Sequence, residues 1–314
     1  MTPSRFELVT NFRSPTFLAL REAARRLGGD VHALPDLPGR ETLRQGCFLG
    51  ALVFMYGDPP LAEAAADLFR EAGLPVALWQ VDDPGYLHRP ELREVTLRLA
   101  RRCDLYFSHT RELDHEYAAL GVKVEYLPTG ARRLPGGDRL YAPPPPEDEL
   151  SLDYVFVATP SAERRGRFHT LRELLPSHLR GGMIGGVEPL EALRLQRFAR
   201  VSLFLGAHTG ADGRPDGWGL SERSGEVPLV GGLLVQEDRK HLREHFLPGV
   251  DAVAFQGLAG CAELVARLCA RPEERRAIAA LAQQRVLREH MLEHRLARIV
   301  ERLRAVRDGD RGQP

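Results

Sequence analysis

Three groups of residues in this 314-residue sequence put polar chemistry straight after an apolar run, the place where parallel sheets present their ligand-binding loops. The first is Asp82-Asp83-Pro84, which follows Trp79-Gln80-Val81. Asp83 there suits a carboxylate that holds an acceptor or takes its proton, and Asp-Pro equally suits a turn that caps a helix. The second is Ser108-His109-Thr110, after Leu105-Tyr106-Phe107. Imidazole titrates near neutral pH, which makes His109 a candidate base, although a lone histidine more often serves a surface or a cap. The third is Glu163-Arg164-Arg165-Gly166-Arg167, a few residues after the apolar run that starts at Asp153. Guanidinium pairs bidentately with phosphate oxygens, so Arg164, Arg165 and Arg167 at a helix start would clamp a diphosphate. The same three arginines are at home on a solvated helix face.

The elements that must position these groups alternate between short apolar runs and amphipathic segments, the pattern of βαβ units and a parallel sheet. Strands are expected over residues 6–10, 30–34, 51–56, 75–81, 105–108 and 124–128. Helices are expected over 16–27, closed by Gly28-Gly29, and over 61–72, 91–102 and 111–120. The run Pro143-Pro144-Pro145-Pro146 favours extended polyproline geometry. Residues 135–150 therefore read as a linker between a first domain, 1–134, and a second, 151–307, with a frayed tail at 308–314. The second domain repeats the alternation, with strands at 153–157, 182–185, 201–205, 230–235 and 252–255. Its helices are expected near 168–175, over 262–270 and as one long helix over 272–307. The glycine-rich loop 209–219 reads as a lid. The fold class is α/β, with two Rossmann-like domains facing a cleft and a long C-terminal helix.

Composition narrows the function. The apolar fraction is 43% and the charged fraction 27%, the balance of a globular protein. Lysine plus arginine and aspartate plus glutamate are each 43, so no excess of positive charge favours a nucleic-acid partner. Cys47, Cys103, Cys261 and Cys269 form no C-x-x-C pair and read as small buried residues in a reducing cytoplasm. No apolar run approaches the ~20 residues of a membrane span, and the first residues lack a signal-peptide layout; contact with a membrane surface stays compatible. No P-loop, no G-x-G-x-x-G after the first strand and no G-x-S-x-G elbow is present, against an ATPase, a dinucleotide oxidoreductase and an α/β-hydrolase.

The segment Arg223-Ser224-Gly225-Glu226-Val227-Pro228-Leu229-Val230-Gly231-Gly232-Leu233-Leu234-Val235 resembles the nucleotide-sugar motif of the CgeB-like (spore maturation) glycosyltransferases of GT-B fold. The resemblance continues through Leu242–Gly249, the strand to Phe255, and Pro272-Glu273-Glu274-Arg275-Arg276, and ends on His290 and Arg295. Upstream it takes in Trp79 to Pro84, Cys103 to Pro128 and Asp153 to Arg167. It implies transfer of a sugar from a nucleotide-sugar donor to an unidentified acceptor, with no cofactor and no bound metal. It further implies that Glu226 accepts hydrogen bonds from the ribose hydroxyls, that Arg223 counters the diphosphate or orients Glu226, and that Arg164, Arg165 or Arg167 steadies the leaving diphosphate. The sequence departs from the family at Gly225, where an aromatic is usual, and at Ala158, where glycine is. Related retaining enzymes carry a second Glu eight positions before the one matching Glu226, and Trp218 stands there. These departures motivate the other expectation, a GT-B module that binds a sugar or a partner without turnover.

Overall fold

The computed structural model describes residues 5–11, 15–37, 40–54, 59–81, 91–111, 114–206 and 219–309. Asp83 and the whole of Asp82 to Pro84 lie outside the described residues, as do Trp218 and nearly all of the expected lid.

Two compact units share the chain: Met1–Pro135 with Leu292–Pro314, and Gly136–Met291. In the first unit the order is β1 (Glu7–Thr10), α1 (Pro15–Arg26), β2 (Asp30–Ala33), α2 (Arg40–Gln45), β3 (Gly50–Val53), α3 (Pro59–Glu71), β4 (Val76–Gln80), α4 (Glu91–Ala100), β5 (Leu105–Ser108), α5 (Asp114–Ala119) and β6 (Val124–Tyr126). Its six strands lie in the order β2-β1-β3-β4-β5-β6, every pair parallel. β3 and β4 are buried along their full length, because helices cover both faces of the sheet. The short helix α2 carries no periodic signal in the sequence and is not among the expected elements.

The second unit runs β7 (Leu152–Val157), α6 (Ala162–Leu174), β8 (Gly181–Ile184), α7 (Pro189–Arg197), β9 (Ala199–Phe204), α8 (Arg223–Leu229), β10 (Leu234–Glu237), α9 (Leu242–His245), β11 (Val253–Phe255), α10 (Gly257–Ala270) and α11 (Pro272–Arg285). Its five parallel strands lie in the order β11-β10-β9-β7-β8. Tyr154, Phe156, Leu203 and Val235 from the sheet and Leu171, Cys261 and Val265 from the helices form its core.

Three expectations are corrected. The long helix over 272–307 is not continuous. α11 ends at Arg285, Val286–His290 form one π-helical turn, Met291 is extended at φ −71° and ψ 153°, and α12 runs from Leu292 to Arg307. Neither Pro nor Gly marks this break, so the sequence periodicity passes straight through it. The second change follows from the first. α12 packs on α1 and β4, with Leu292, Leu296, Ile299, Val300 and Leu303 in the same core as Leu8, Phe17 and Trp79. The last helix therefore belongs to the first unit, while the proline-rich segment 136–150 counts with the second, where the sequence reading has a linker. Third, the strand expected over 230–235 starts only at Leu234. Gly231, at φ 71°, and Gly232 donate backbone hydrogen bonds to Pro228 O (2.8 Å) and Val227 O (3.0 Å), which closes α8 before the strand begins.

Cys261 and Cys269 are buried, Cys103 is half-buried and Cys47 is exposed. Burial, with some help from the Asp104 charge, pushes the Cys103 thiol up to about 12; burial does the same to Cys261, to about 12, and to Cys269, to about 11. The thiolate is the reactive form, so at pH 7.5 a maleimide should label one cysteine per native chain, Cys47, and all four after denaturation. Rapid native labelling of Cys261 or Cys269, read by peptide mass spectrometry, would contradict this packing.

Candidate donor site

The second unit gathers the sequence-flagged cations at the carboxyl ends of its strands. β7 ends at Val157, and the chain turns through Ala158-Thr159-Pro160 into α6. Ser161 caps that helix, its hydroxyl accepting from Arg164 N at 3.1 Å. The Arg164 guanidinium folds back to donate to Thr159 O at 3.1 Å. Arg165 is exposed and its side chain has no partner among the described residues.

Arg167 has a different role from its two neighbours. One turn further along α6, its guanidinium pairs with Glu237 at the carboxyl end of β10 and donates to Gly206 O at 3.0 Å, just beyond β9. The other Glu237 oxygen accepts from Gly206 N at 2.7 Å. The Glu237 side chain is only 1% exposed, so its charge must be matched from inside the protein. This arrangement ties the start of α6 to the ends of β9 and β10. It engages the Arg167 charge with a carboxylate.

Beside this tie lies a second cluster. Phe204, the last residue of β9, has the Arg223 guanidinium carbon 5.6 Å and the Arg239 guanidinium carbon 5.4 Å from its ring centroid, within the range of cation–π attraction. Arg223 opens α8, and Ser224 behind it donates from its hydroxyl to Gln236 Oε1 of β10 at 2.6 Å, fixing the helix against the strand. Glu226 is half-buried on the same short helix, its backbone N–H bonded to Glu222 O at 2.9 Å. Arg164, Arg165, Arg167, Arg223 and Glu226 therefore all sit in one unit. The first three lie at the strand-end start of α6. The other two lie on the helix that leads into β10.

The Gly231-Gly232 pair serves packing. Gly225 is buried within α8. A Cβ on Gly231 would stand 2.8 Å from Pro144 N, and one on Gly232 would stand 2.8 Å from Gln196 O. The glycines let α8 close against the proline segment and α7.

The acceptor-side candidate His109 follows β5 in the first unit. It is buried, and its backbone N–H donates to Gln80 O at 3.1 Å at the end of β4. The Leu127-Pro128 and Arg295 elements prove structural: the Trp79 indole donates to Leu127 O at 3.1 Å, and the buried Arg295 Nε donates to Pro128 O at 2.9 Å. His290 packs on Phe246 in a tilted ring contact, with centroids 4.9 Å apart, at the π-helical turn of the second unit.

Sequence reasoning missed Glu237, Phe204 and Arg239. Glu237 left a readable trace, an acid closing the otherwise buried run Leu233-Leu234-Val235-Gln236. An acid in a parallel strand needs a cation, and Arg167 supplies it across 70 positions of sequence. Phe204 and Arg239 left none, since nothing in their local spacing distinguishes a ring that gathers cations from a core residue.

Residues 168–301 match the model of a family described as glycosyl transferase-like. No curated protein matches the chain. Among solved structures, the chain is similar to Anabaena HepE in complex with UDP and glucose, at 11% identity and TM-score 0.64, covering 95% of this chain and 99% of that one. It is similar to sucrose-phosphate synthase from Thermosynechococcus elongatus, at 12% identity and TM-score 0.62, covering 97% and 99%. It is also similar to a UDP-forming trehalose-phosphate synthase from Burkholderia vietnamiensis, at 14% identity and TM-score 0.60, covering 86% and 75%.

The Glu237–Arg167 tie makes a stability prediction. Glu237→Ala leaves a guanidinium that is 15% exposed without its carboxylate, and breaking a buried pair costs about 3–5 kcal/mol. For a domain of this size that is a fall in Tm of roughly 6–20 °C. The double variant Arg167→Met/Glu237→Leu should recover at least half of it. Near-neutral single variants in a thermal melt would remove the tie from the account. The two parallel sheets, their helices and these likenesses make this a chain of GT-B fold, and the family match over residues 168–301 supports a glycosyltransferase.

Proposed function

We propose that the protein transfers a sugar from a nucleotide-sugar donor to an acceptor hydroxyl or similar nucleophile, binding the donor at the carboxyl ends of the second unit's strands. The observation that carries this reading is the grouping of Arg164, Arg165, Arg223 and Glu226 on the two helices, α6 and α8, that meet those strand ends, inside or next to the segment that matches a glycosyl transferase-like family. Among the similar structures, HepE is seen in complex with UDP, with UDP and glucose, and with UDP-glucose. A uridine diphosphate sugar is thus the donor class to test first.

In the reaction the bond from the anomeric carbon to the diphosphate breaks, and the departing oxygen gains negative charge. Guanidinium groups fixed beforehand at that oxygen stabilise the transition state without reorganisation. Arg164, Arg165 and Arg223 fill that role in this reading. Arg167, already paired with Glu237, holds α6 in place for them. Glu226 accepts from the ribose hydroxyls, a job for which a carboxylate with two oxygens is suited. The acceptor loses a proton as it attacks, and His109 or Asp83 in the first unit is the proposed base. The proposed chemistry uses no bound metal, so excess EDTA should leave turnover unchanged.

The test is a thermal melt with UDP. At about 100 times its Kd the ligand adds about 2.7 kcal/mol, a rise in Tm of roughly 5–11 °C. Glu226→Ala should lose most of that rise while melting normally without ligand. Whichever of His109→Ala and Asp83→Ala removes the base should keep the rise and lower turnover about 100-fold or more, the span of a general base. No rise with uridine, guanosine, adenosine or thymidine diphosphate would sink the reading. The pairing of Arg167 with Glu237 favours one second reading, a module that binds a donor without turning it over, since it engages one cation of the expected clamp. Release of free sugar from UDP-sugar, even slow, decides for the enzyme.

A further inference from the structure

β9 has a second charged environment at its other end. Near Ala199, where the strand begins, a small open recess lies in the second unit. Pro144 and Leu233 line its apolar side, and Arg197, Arg200, Arg275 and Arg276 line the rest.

The charges in this recess do not close within the protein. Glu147 serves two of the arginines, Arg200 Nε at 2.8 Å and the Arg275 guanidinium. Asp153 accepts from Arg200 Nη1 at 2.6 Å. Arg197 is 6% exposed and pairs with no carboxylate among the described residues. It donates instead to the carbonyls of Leu140, Ala142, Pro143 and Val230, and feels the opposing charge of Glu149. Arg276 is exposed and has no partner among the described residues. Two of the four guanidiniums thus meet no carboxylate. Burial holds Arg197 and Arg275 below the ordinary guanidinium range, the mark of positive charge that lacks full solvation. Both stay charged, because even a lowered guanidinium titrates far above neutral pH. Arg200 Nη2 and Arg275 Nε carry N–H groups that none of the bonds above uses.

We propose that this recess binds a phosphate group, free or carried on a small metabolite, with Arg276 and the unused N–H groups of Arg200 and Arg275 as donors. Guanidinium groups converging from α11 and the start of β9 match the several oxygens of a phosphate better than a single-atom anion. The apolar wall of Pro144 and Leu233 gives a carbon-bearing ester something to pack on. The site is separate from the proposed donor site, at the opposite end of the same strand. Arg197 links the two regions, since it donates to the carbonyl of Val230, the residue that caps α8, the helix of Arg223 and Glu226.

The experiment is a set of thermal melts without nucleotide, at constant ionic strength, with sodium chloride replaced stepwise by inorganic phosphate or by glycerol 3-phosphate. The wild-type Tm should rise and saturate with at least one of them. Saturation with both identifies free phosphate as sufficient, and saturation with the ester alone identifies a phosphorylated metabolite. Arg276→Ala, a surface change that leaves the ion pairs of Glu147 and Asp153 intact, should move the midpoint at least fivefold to higher concentration. Arg276→Lys should move it less. Arg165→Ala, which removes an exposed cation of the proposed diphosphate clamp, should respond as wild type does, which keeps this result independent of the donor site. No saturable rise, an unchanged midpoint in Arg276→Ala, or loss of the response in Arg165→Ala would each overturn the proposal.

Discussion

The buried carboxylate of Glu237 is the constraint on which the ligand-binding end of the second unit depends. An acid at the end of a strand with no access to water has to find a cation and hydrogen-bond donors nearby. Here it takes Arg167 from α6 and the Gly206 backbone from the end of β9. Three separate stretches of chain are thereby held to one point. The cations around that point, Arg164 on one side and Arg223 with Arg239 on the other, owe their positions to helices and strands that this pair fixes. Replacing it with apolar groups of equal volume could be nearly neutral for stability, but the apolar version would not specify direction as a forked guanidinium does.

The parallel arrangement was legible because it is written in long-lived patterns. β3 and β4 are buried on both faces and read as unbroken apolar runs. Gly28 ends α1 with φ 82° at the place where the sequence changes from amphipathic to apolar. What was not legible was set by partners far away in the chain. Met291 turns extended without proline or glycine, because α12 has a core to fill against α1 and β4. Nothing within ten residues of Met291 encodes that. The site divided in the same way. Arg164 was flagged from its place after an apolar run and Arg223 from the motif resemblance, while Phe204 became visible only once two arginines were seen over its ring.

The proline run shows how a composition signal can be right about conformation and incomplete about purpose. Pro146 has the φ −65° and ψ 161° of an extended chain, as its type requires. The segment is nevertheless fastened to the second unit: Arg197 and Gln283 donate to its carbonyls, and Gly231 leaves no room for a side chain beside Pro144. A polyproline stretch cannot join a sheet, yet its carbonyls are free to accept. Buried arginine and glutamine side chains use them, which removes the freedom a linker would need.

The break at Met291 bears on the order in which the protein can form. Because α12 supplies Leu296, Ile299 and Leu303 to the core that holds Leu8 and Trp79, the first unit is covalently discontinuous, with the second inserted within it. A ribosome delivers Gly136–Met291 in one stretch, so the inserted unit has all of its sequence before its host does. The host must wait, with the α1 side of its sheet uncovered, for more than 150 residues of another core to emerge. The unit that begins first is thus the one that finishes last, and its exposed apolar face during that interval is where a chaperone would find the nascent chain.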